Sequence, residues 1–159
     1  MGECYLIMKK FFTKVLLAFV AIISFSVVSF HETDAHAASF TSVYQTAKNY
    51  LGTPYVYGAT GPTSFDCSGF TSYVYKKAAK VTLPRTAQAQ YNKYDHVSAK
   101  TAEKGDLVFF GASKLSISHV GMYIGNGKMI DAQNRGVVIE KINAPWWNAV
   151  GYAHVTDLD

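Results

Sequence analysis

The residues with the clearest capacity for chemistry are a cysteine and a histidine that lie far apart in the sequence. Cys67 stands where the glycine-containing loop 54–65 meets the predicted start of a helix. Free backbone N–H groups and the helix dipole favour the nucleophilic thiolate at such a place. The same N–H groups can stabilise an oxyanion. Cys67 is therefore a candidate nucleophile, and a buried, inert cysteine is the alternative.

A nucleophilic cysteine needs a base, which is normally a histidine. Three histidines follow residue 37. His96 lies in a polar, loop-like stretch and is interpreted as a surface residue, and His154 lies on the last predicted strand, where an edge or core position is expected. His119 opens a strand directly after the loop 112–118, so its ring can face a cleft. His119 is therefore the candidate base.

The strand that His119 opens and the strand after it can be aligned by their apolar residues. A three-residue turn at 125–127 would pair Ile124 with Lys128. A two-residue turn at Asn126 and Gly127 would instead mix polar side chains with the apolar face, and such a one-residue slip is strongly disfavoured. We therefore predict the three-residue turn, which places these apolar residues on one face: Val120, Met122, Ile124, Ile130 and Ala132.

The predicted alignment gives His119 a polar neighbour. Asp131 lies opposite Gly121 and diagonal to His119, at about 7–8 Å between Cα atoms. A carboxylate that accepts a hydrogen bond from the second imidazole nitrogen fixes the tautomer and orientation of the ring. Gln133, directly opposite His119, is the reserve candidate for this role. The sequence thus predicts a group made of Cys67, His119 and Asp131.

The elements that must position these residues follow an α+β pattern. Apolar spacing predicts helices over 40–51, from Cys67 to about Ala79, and briefly near 83–91. After Gly105 the pattern changes to five predicted strands at 106–110, 119–125, 128–133, 136–142 and 150–155. Pro145, Trp146 and Trp147 precede the last strand, and the two tryptophans are interpreted as core or groove wall rather than as a ligand site.

The first 37 residues read as a secretory signal peptide. Lys9, Lys10 and Lys14 precede an apolar run over 15–30, and the small-residue site 35–37 follows. A membrane anchor is the alternative, but the run is shorter than the ~20 residues that a spanning helix needs. We expect cleavage after Ala37, which would leave one domain at 38–159.

Composition narrows the choice of partners and cofactors. Of the 2 cysteines in the chain, Cys4 would leave with the signal peptide, so Cys67 could form no internal disulfide. The formal net charge of +4 favours anionic surfaces such as wall polymers, but no basic, aromatic-rich stripe for nucleic acid is present. No metal-ligand spacing is found. We expect no metal or other cofactor, no nucleic-acid partner, no membrane contact after cleavage, and a monomer.

Four segments together resemble the NlpC-type cell-wall cysteine peptidases. They are LGTPYVYGATGPTSFDCSGF, LPRTAQAQ, KGDLVFF and SHVGMYIGNGKMIDAQ, in this order and at this spacing. The resemblance runs from about Tyr44 to the C-terminus. It implies a papain-like α+β fold with N-terminal helices packed on a five- or six-stranded antiparallel sheet. It also implies hydrolysis of the bond between D-γ-glutamyl and a diamino acid in peptidoglycan stem peptides.

The resemblance also assigns residue roles. Cys67 matches the nucleophile and His119 the base, while Tyr55 matches a tyrosine whose hydroxyl assists the oxyanion hole. Asp66 and Ser68 match positions that line the groove and can meet a substrate amine. The third polar residue of the family is commonly a histidine or an amide, so Asp131 is interpreted as a variant of that position. Arg85 is interpreted as structural.

These observations favour a secreted or wall-associated endopeptidase that acts through a thioester acyl-enzyme on peptidoglycan peptides. Some alternatives keep the fold and the group of three but change the reaction: a poly-γ-glutamate hydrolase, a muramoyl–alanine amidase or an acyltransferase. Another is a catalytically silent wall-binding module. The joint presence of Cys67, His119 and Asp131 argues against silence.

Overall fold

The computed structural model describes residues 38–159, and the predicted signal peptide lies outside them. Three helices come first: α1 (Phe40–Lys48), α2 (Cys67–Ala78) and α3 (Ala87–Lys93). Each begins after a side chain that accepts a hydrogen bond from a backbone N–H of the first turn, as good N-caps do. These caps are Ser39, Asp66 and Thr86. None of the three has the length and apolar run that a membrane span requires.

Six strands follow and form one antiparallel sheet. They are β1 (Asp95–Val97), β2 (Leu107–Ser113), β3 (Ser116–Gly125), β4 (Lys128–Gln133), β5 (Gly136–Lys141) and β6 (Ala149–His154). Their order in the sheet is β1-β6-β2-β3-β4-β5. The predicted α+β fold is confirmed, but several bounds differ. The first helix ends at Lys48 rather than Leu51, and the short edge strand β1 was not predicted. The prediction that His119 opens a strand after the loop 112–118 is wrong, because β2 extends to Ser113 and β3 begins at Ser116, which makes His119 the fourth residue of β3.

Strand β1 changes the interpretation of His96. The sequence placed this histidine in a solvated loop, whereas it lies on β1 with its ring stacked on Tyr91 at 4.0 Å between centroids. Its Nε2 also lies 2.9 Å from the Tyr91 carbonyl oxygen. His154 contacts two carboxylates, with Nδ1 2.8 Å from Asp106 and Nε2 3.2 Å from Asp157. Both histidines therefore have partners other than Cys67.

The β3–β4 hairpin corrects the predicted turn. Gly125 pairs with Lys128, so the turn has two residues, Asn126 and Gly127, with φ of 54° and 67°. The predicted pairing of Ile124 with Lys128 is wrong. An irregularity between Tyr123 and Gly125 then shifts the pairing by one residue, and Met122 pairs with Ile130. The predicted alignment is therefore confirmed where it matters for His119 and Asp131.

The sheet has a buried face on each side. Helix α2 packs against β3 and β4, and α3 packs against β3. The helix side holds the main core, which includes Val120, Met122, Ile130 and Ala132, as the apolar pattern predicted. A second, smaller cluster contains Val108, Phe110, Met129 and Ile142, with Trp147 packed against it.

Candidate active site

Cys67 is the first residue of α2. The backbone N–H groups of the first turn of a helix have no carbonyl partner within the helix. They point toward the N-terminal end of the helix, where Cys67 lies. Only 8% of the Cys67 surface is exposed. Gly69, in the same turn, lies so close to the loop before the helix that a Cβ there would clash with the Ala59 carbonyl oxygen. The D-C-S-G sequence therefore lets loop 54–65 pack directly over the helix start.

His119 and Asp131 are joined by a buried hydrogen bond. His119 Nε2 lies 2.8 Å from Asp131 Oδ2, the histidine is 8% exposed and the aspartate 0%. Since Nε2 is used by Asp131, Nδ1 is the ring nitrogen left for Cys67. Gly121 lies between the two strands here, and a Cβ on it would meet Met129 Sδ at 2.8 Å and Asp131 Cβ at 3.1 Å. The glycine leaves room for the carboxylate.

The surroundings of His119 favour its protonated form. Burial opposes the charge, but the hydrogen bond to Asp131 and the hydrogen bonding and charge of Cys67 outweigh it and raise the pKa of His119 to about 9. Burial also raises the pKa of the Asp131 carboxyl, and the hydrogen bond from His119 opposes this rise. The arrangement suits an imidazolium that is held between the Asp131 carboxylate and the sulfur of Cys67.

A cleft of about 610 Å³ opens in front of Cys67. Its walls include Tyr55, Asp66, Ser68, Arg85 and Ser118. Burial is the main cause that raises the pKa of Tyr55, and the charge of Cys67 adds to it. The Tyr55 hydroxyl therefore stays protonated and can donate a hydrogen bond within the cleft. All the residues that the sequence placed at the site, except the reserve candidate Gln133, meet at this cleft or directly behind it.

Asp66 is held by several partners. Its Oδ1 accepts from Gly69 N at 2.7 Å and from Arg85 at 3.1 Å, and its Oδ2 accepts from Gly58 N at 3.0 Å and from Arg85 at 2.5 Å. Burial would raise the pKa of Asp66, but these hydrogen bonds and the Arg85 charge lower it. Arg85 also donates to Ser68 Oγ at 3.1 Å. Asp66, Ser68 and Arg85 thus form one charged wall of the cleft.

The position of Arg85 depends on a buried glutamine that sequence reasoning did not single out. Gln90, 0% exposed, donates from Nε2 to the carbonyl oxygens of Ser68 at 3.1 Å and Pro84 at 2.9 Å. Its Oε1 accepts from the Thr71 hydroxyl at 3.0 Å. Gln90 therefore ties the segment before α3, which carries Arg85, to the start of α2.

Two further outcomes concern residues outside the cleft wall. The hydrogen bond of His119 goes to Asp131 and not to Gln133, whose Oε1 accepts from Arg135 N at 3.0 Å in the following turn. Trp147 stacks on the His119 ring with 4.5 Å between centroids and 17° between planes. Its only sequence signal was the aromatic pair at 146–147.

Within residues 38–159, no cluster of three or more His, Cys, Asp or Glu side chains is placed to bind a metal ion.

The raised pKa of His119 predicts how activity depends on pH. The ring is protonated below about pH 9 and loses its proton above it, so proton donation to a leaving group fails as pH rises. We expect kcat/KM to decline above about pH 9, and Asp131→Asn to move this decline to lower pH, because the variant loses the carboxylate charge that favours the imidazolium. A pH–rate profile of kcat/KM reports groups of the free enzyme. A decline with the same midpoint in both proteins would contradict the assignment.

Known proteins are similar to this chain over the part that carries the site. The sequence profile of the NlpC/P60 family matches residues 52–155. A probable endopeptidase p60 of Listeria grayi is 44% identical over 130 residues, which are 80% of this chain and 25% of that protein. The bifunctional muramidase/DL-endopeptidase CwlT of Bacillus subtilis (strain 168) is 40% identical over 111 residues, which are 68% of this chain and 33% of that protein. The chain therefore spans a third or less of the length of these relatives.

A solved structure agrees with the fold. The crystal structure of an NlpC/P60 family protein from Bacillus cereus ATCC 10987 matches with a TM-score of 0.69 at 36% sequence identity, and the match covers 73% of this chain and 40% of that one. The expected papain-like arrangement of helices on an antiparallel sheet is thereby confirmed.

Proposed function

The chain belongs to the NlpC/P60 family, and from this membership and the site geometry we propose that it is a cysteine peptidase that hydrolyses peptidoglycan stem peptides. One observation carries the proposal. Cys67 begins a helix at the floor of a cleft, and its partner His119 is hydrogen-bonded at 2.8 Å to the buried Asp131. This is the nucleophile–base–orienter arrangement of covalent peptidases.

The proposed reaction has two steps. His119 Nδ1 takes the proton of Cys67, and the thiolate attacks the carbonyl carbon of the scissile bond. The backbone N–H groups of Cys67 and Ser68, at the start of α2, and the Tyr55 hydroxyl stabilise the oxyanion. The imidazolium then gives its proton to the leaving amine, and a thioester forms on Cys67. A water molecule that loses its proton to His119 cleaves the thioester, which releases the carboxyl product and restores the thiol.

We propose that the bond joins D-γ-glutamyl to a diamino acid. A γ-linked glutamyl residue keeps a free α-carboxylate beside the scissile bond, and Arg85 offers a cation on the cleft wall with 44% of its side chain exposed. Asp66 and Ser68 lie on the same wall and are assigned to the amine of the residue before the glutamyl group. A wall that carries a cation and an anion suits a short peptide that carries a carboxylate and an amine.

The other parts of the proposal follow from the sequence. Residues 1–37 act as a signal peptide, and 38–159 form the peptidase domain, which works outside the cell on the wall as a monomer and without a cofactor. The relatives named endopeptidases support action on the wall.

Digestion of purified sacculi tests the proposed bond. The protein should release fragments with new amine ends on the diamino acid and new carboxyl ends on D-γ-glutamate, identified by mass spectrometry. New ends at muramoyl–alanine would make it an amidase, and transfer of the peptide to an added amine would make it an acyltransferase. Cleavage of poly-γ-glutamate alone would change the substrate. Binding to sacculi without any new ends would make it a silent wall-binding module.

The assignment of Asp66 predicts a preference for a free substrate amine. N-acetylation of a stem tripeptide should lower kcat/KM by about tenfold or more, since the acetylated nitrogen carries no charge and loses its attraction to the Asp66 carboxylate. Asp66→Asn should reduce the difference between the two substrates, and asparagine is also a good N-cap, so α2 should remain. Equal rates on the two peptides with the unaltered protein would contradict the assignment.

A further inference from the structure

The His119 ring is confined by more than its hydrogen bond. Asp131 holds one ring nitrogen, but a single hydrogen bond leaves the plane of the ring free to tilt about that contact. Trp147 covers one face of the imidazole in a nearly parallel stack, with 4.5 Å between centroids. Phe110 adds a second aromatic neighbour, 5.8 Å from the His119 centroid and 4.7 Å from that of Trp147. The stack restricts the tilt that the hydrogen bond leaves free.

The indole is itself held in place. Trp147 Nε1 donates to Glu140 Oε1 at 3.0 Å, and its backbone N–H donates to the Ala144 carbonyl oxygen at 2.8 Å. The other oxygen of Glu140 accepts from Arg135 at 2.8 Å, and the glutamate side chain is only 7% exposed. Each carboxylate oxygen of Glu140 therefore has its own partner, and the carboxylate cannot turn without losing one.

The electrostatics favour the charged form of the stacked ring. The face of an indole attracts a cation, and this attraction grows when the pair is shielded from water. The charged and titratable groups around His119 are Asp131 and Cys67, which both raise its pKa. Glu140 and Arg135 act on Asp131 with opposite signs. The indole thus adds a contact that is stronger for the imidazolium than for the neutral ring.

We propose that Trp147 is a positioning residue for His119, and that Glu140, held by Arg135, fixes the indole that covers the imidazole. The inference rests on the proposed peptidase activity for its effect on rate. The stack of Trp147 on His119 can be observed without any turnover, so an experiment can contradict the stack without contradicting the peptidase activity, and the reverse.

Fluorescence tests the stack in the intact protein. The chain has 2 tryptophans, and Trp146 is 67% exposed, so Trp146→Phe leaves Trp147 as the only indole. A protonated imidazole in contact with an indole quenches its fluorescence. We expect the emission of Trp146→Phe to rise with a midpoint near pH 9, and this rise to be absent when His119→Gln is added. The same curve with and without His119 would overturn the stack.

Kinetics test the positioning role. Trp147→Ala should lower kcat by about 10²-fold, the scale expected when a catalytic group is misplaced, with little change in KM and with the alkaline decline moved to lower pH. Trp147→Phe should restore part of kcat, because phenylalanine can still stack, and Glu140→Ala should lower kcat in the same direction as Trp147→Ala. Trp146→Phe is the matched control and should keep wild-type kinetics.

Two kinetic outcomes would overturn the proposal. One is a folded Trp147→Ala protein with wild-type kcat and pH profile. The other is a loss that appears in KM alone, which would make Trp147 a substrate contact. If no protein in the series cleaves wall peptides but the His119-dependent fluorescence change is present, the stack stands and the proposed function fails.

Discussion

Replacement of Cys67 by alanine is expected to lower kcat/KM on wall peptides by at least roughly 10⁴-fold, the scale seen when the nucleophile of a covalent hydrolase is removed. Without the sulfur no thioester can form, and the remaining cleft can only bind the peptide. The measurement is hydrolysis of a stem peptide by the purified variant, compared with the unaltered protein.

Two checks separate lost chemistry from lost folding. Cys67 packs with the main core, so Cys67→Ser, which keeps the size of the side chain, should be equally impaired. Circular dichroism and binding to sacculi should be unchanged in both variants. If Cys67→Ala, correctly folded, still cleaves at a comparable rate, the nucleophile lies elsewhere.

Asp131→Ala is expected to lower kcat by roughly 10⁴-fold, the scale found when the carboxylate that orients a catalytic histidine is removed or neutralised. The carboxylate is 0% exposed and bonded to His119 at 2.8 Å, so its loss frees the ring to adopt the wrong tautomer. Steady-state kinetics on a defined stem peptide give the split between kcat and KM, and the change should lie in kcat.

Asp131→Asn and Gln133→Ala are the matched variants. The asparagine can still accept a hydrogen bond from the imidazole N–H, so it should keep more activity than Asp131→Ala. Gln133 hydrogen-bonds to the Arg135 backbone, so its replacement should leave kcat nearly unchanged. An order in which Gln133→Ala is crippled and Asp131→Ala is near normal would show that the reserve candidate orients His119.

In the β3–β4 hairpin the apolar pattern predicts the alignment of the two strands but not the turn that joins them. Apolar alternation placed Asp131 on the His119 face because a one-residue slip would bury polar side chains across two strands. The same alternation could not describe the turn. A two-residue turn at 126–127 and an irregularity between Tyr123 and Gly125 cancel each other, and the strand beyond them has the same alignment that a three-residue turn would give.

Trp147 and Gln90 show what local patterns cannot reveal. Trp147 lies in the segment between β5 and β6, which has no apolar period that would fix the direction of its side chain. Its contact with His119 depends on how this segment packs against β3, which carries His119, and β5, which carries Glu140. Gln90 lies on a short helix where a glutamine is usually exposed, yet it is 0% exposed because it satisfies carbonyl oxygens of another segment. Both positions are set by tertiary packing.

For Arg85 the sequence does not reveal which group the charged side chain contacts. The sequence assigned it a structural role, and its ion pair with Asp66 agrees with that. The cleft location adds a second capacity, because 44% of the side chain is exposed on the wall beside Cys67. A lone arginine in sequence does not reveal whether its partner is a protein carboxylate, a substrate or both.

Trapping the acyl-enzyme tests the central claim most directly. A stem peptide is mixed with the protein, the reaction is quenched in acid within the first turnover, and the protein is digested and analysed by mass spectrometry. The account predicts that the peptide containing Cys67 gains the mass of the acyl part of the substrate, that hydroxylamine removes it, and that Cys67→Ser shows no thioester. Two results would contradict it. One is turnover of the unaltered protein with the acyl group on another residue. The other is a folded Cys67→Ala protein that hydrolyses the peptide at the normal rate, with oxygen from labelled water in the product.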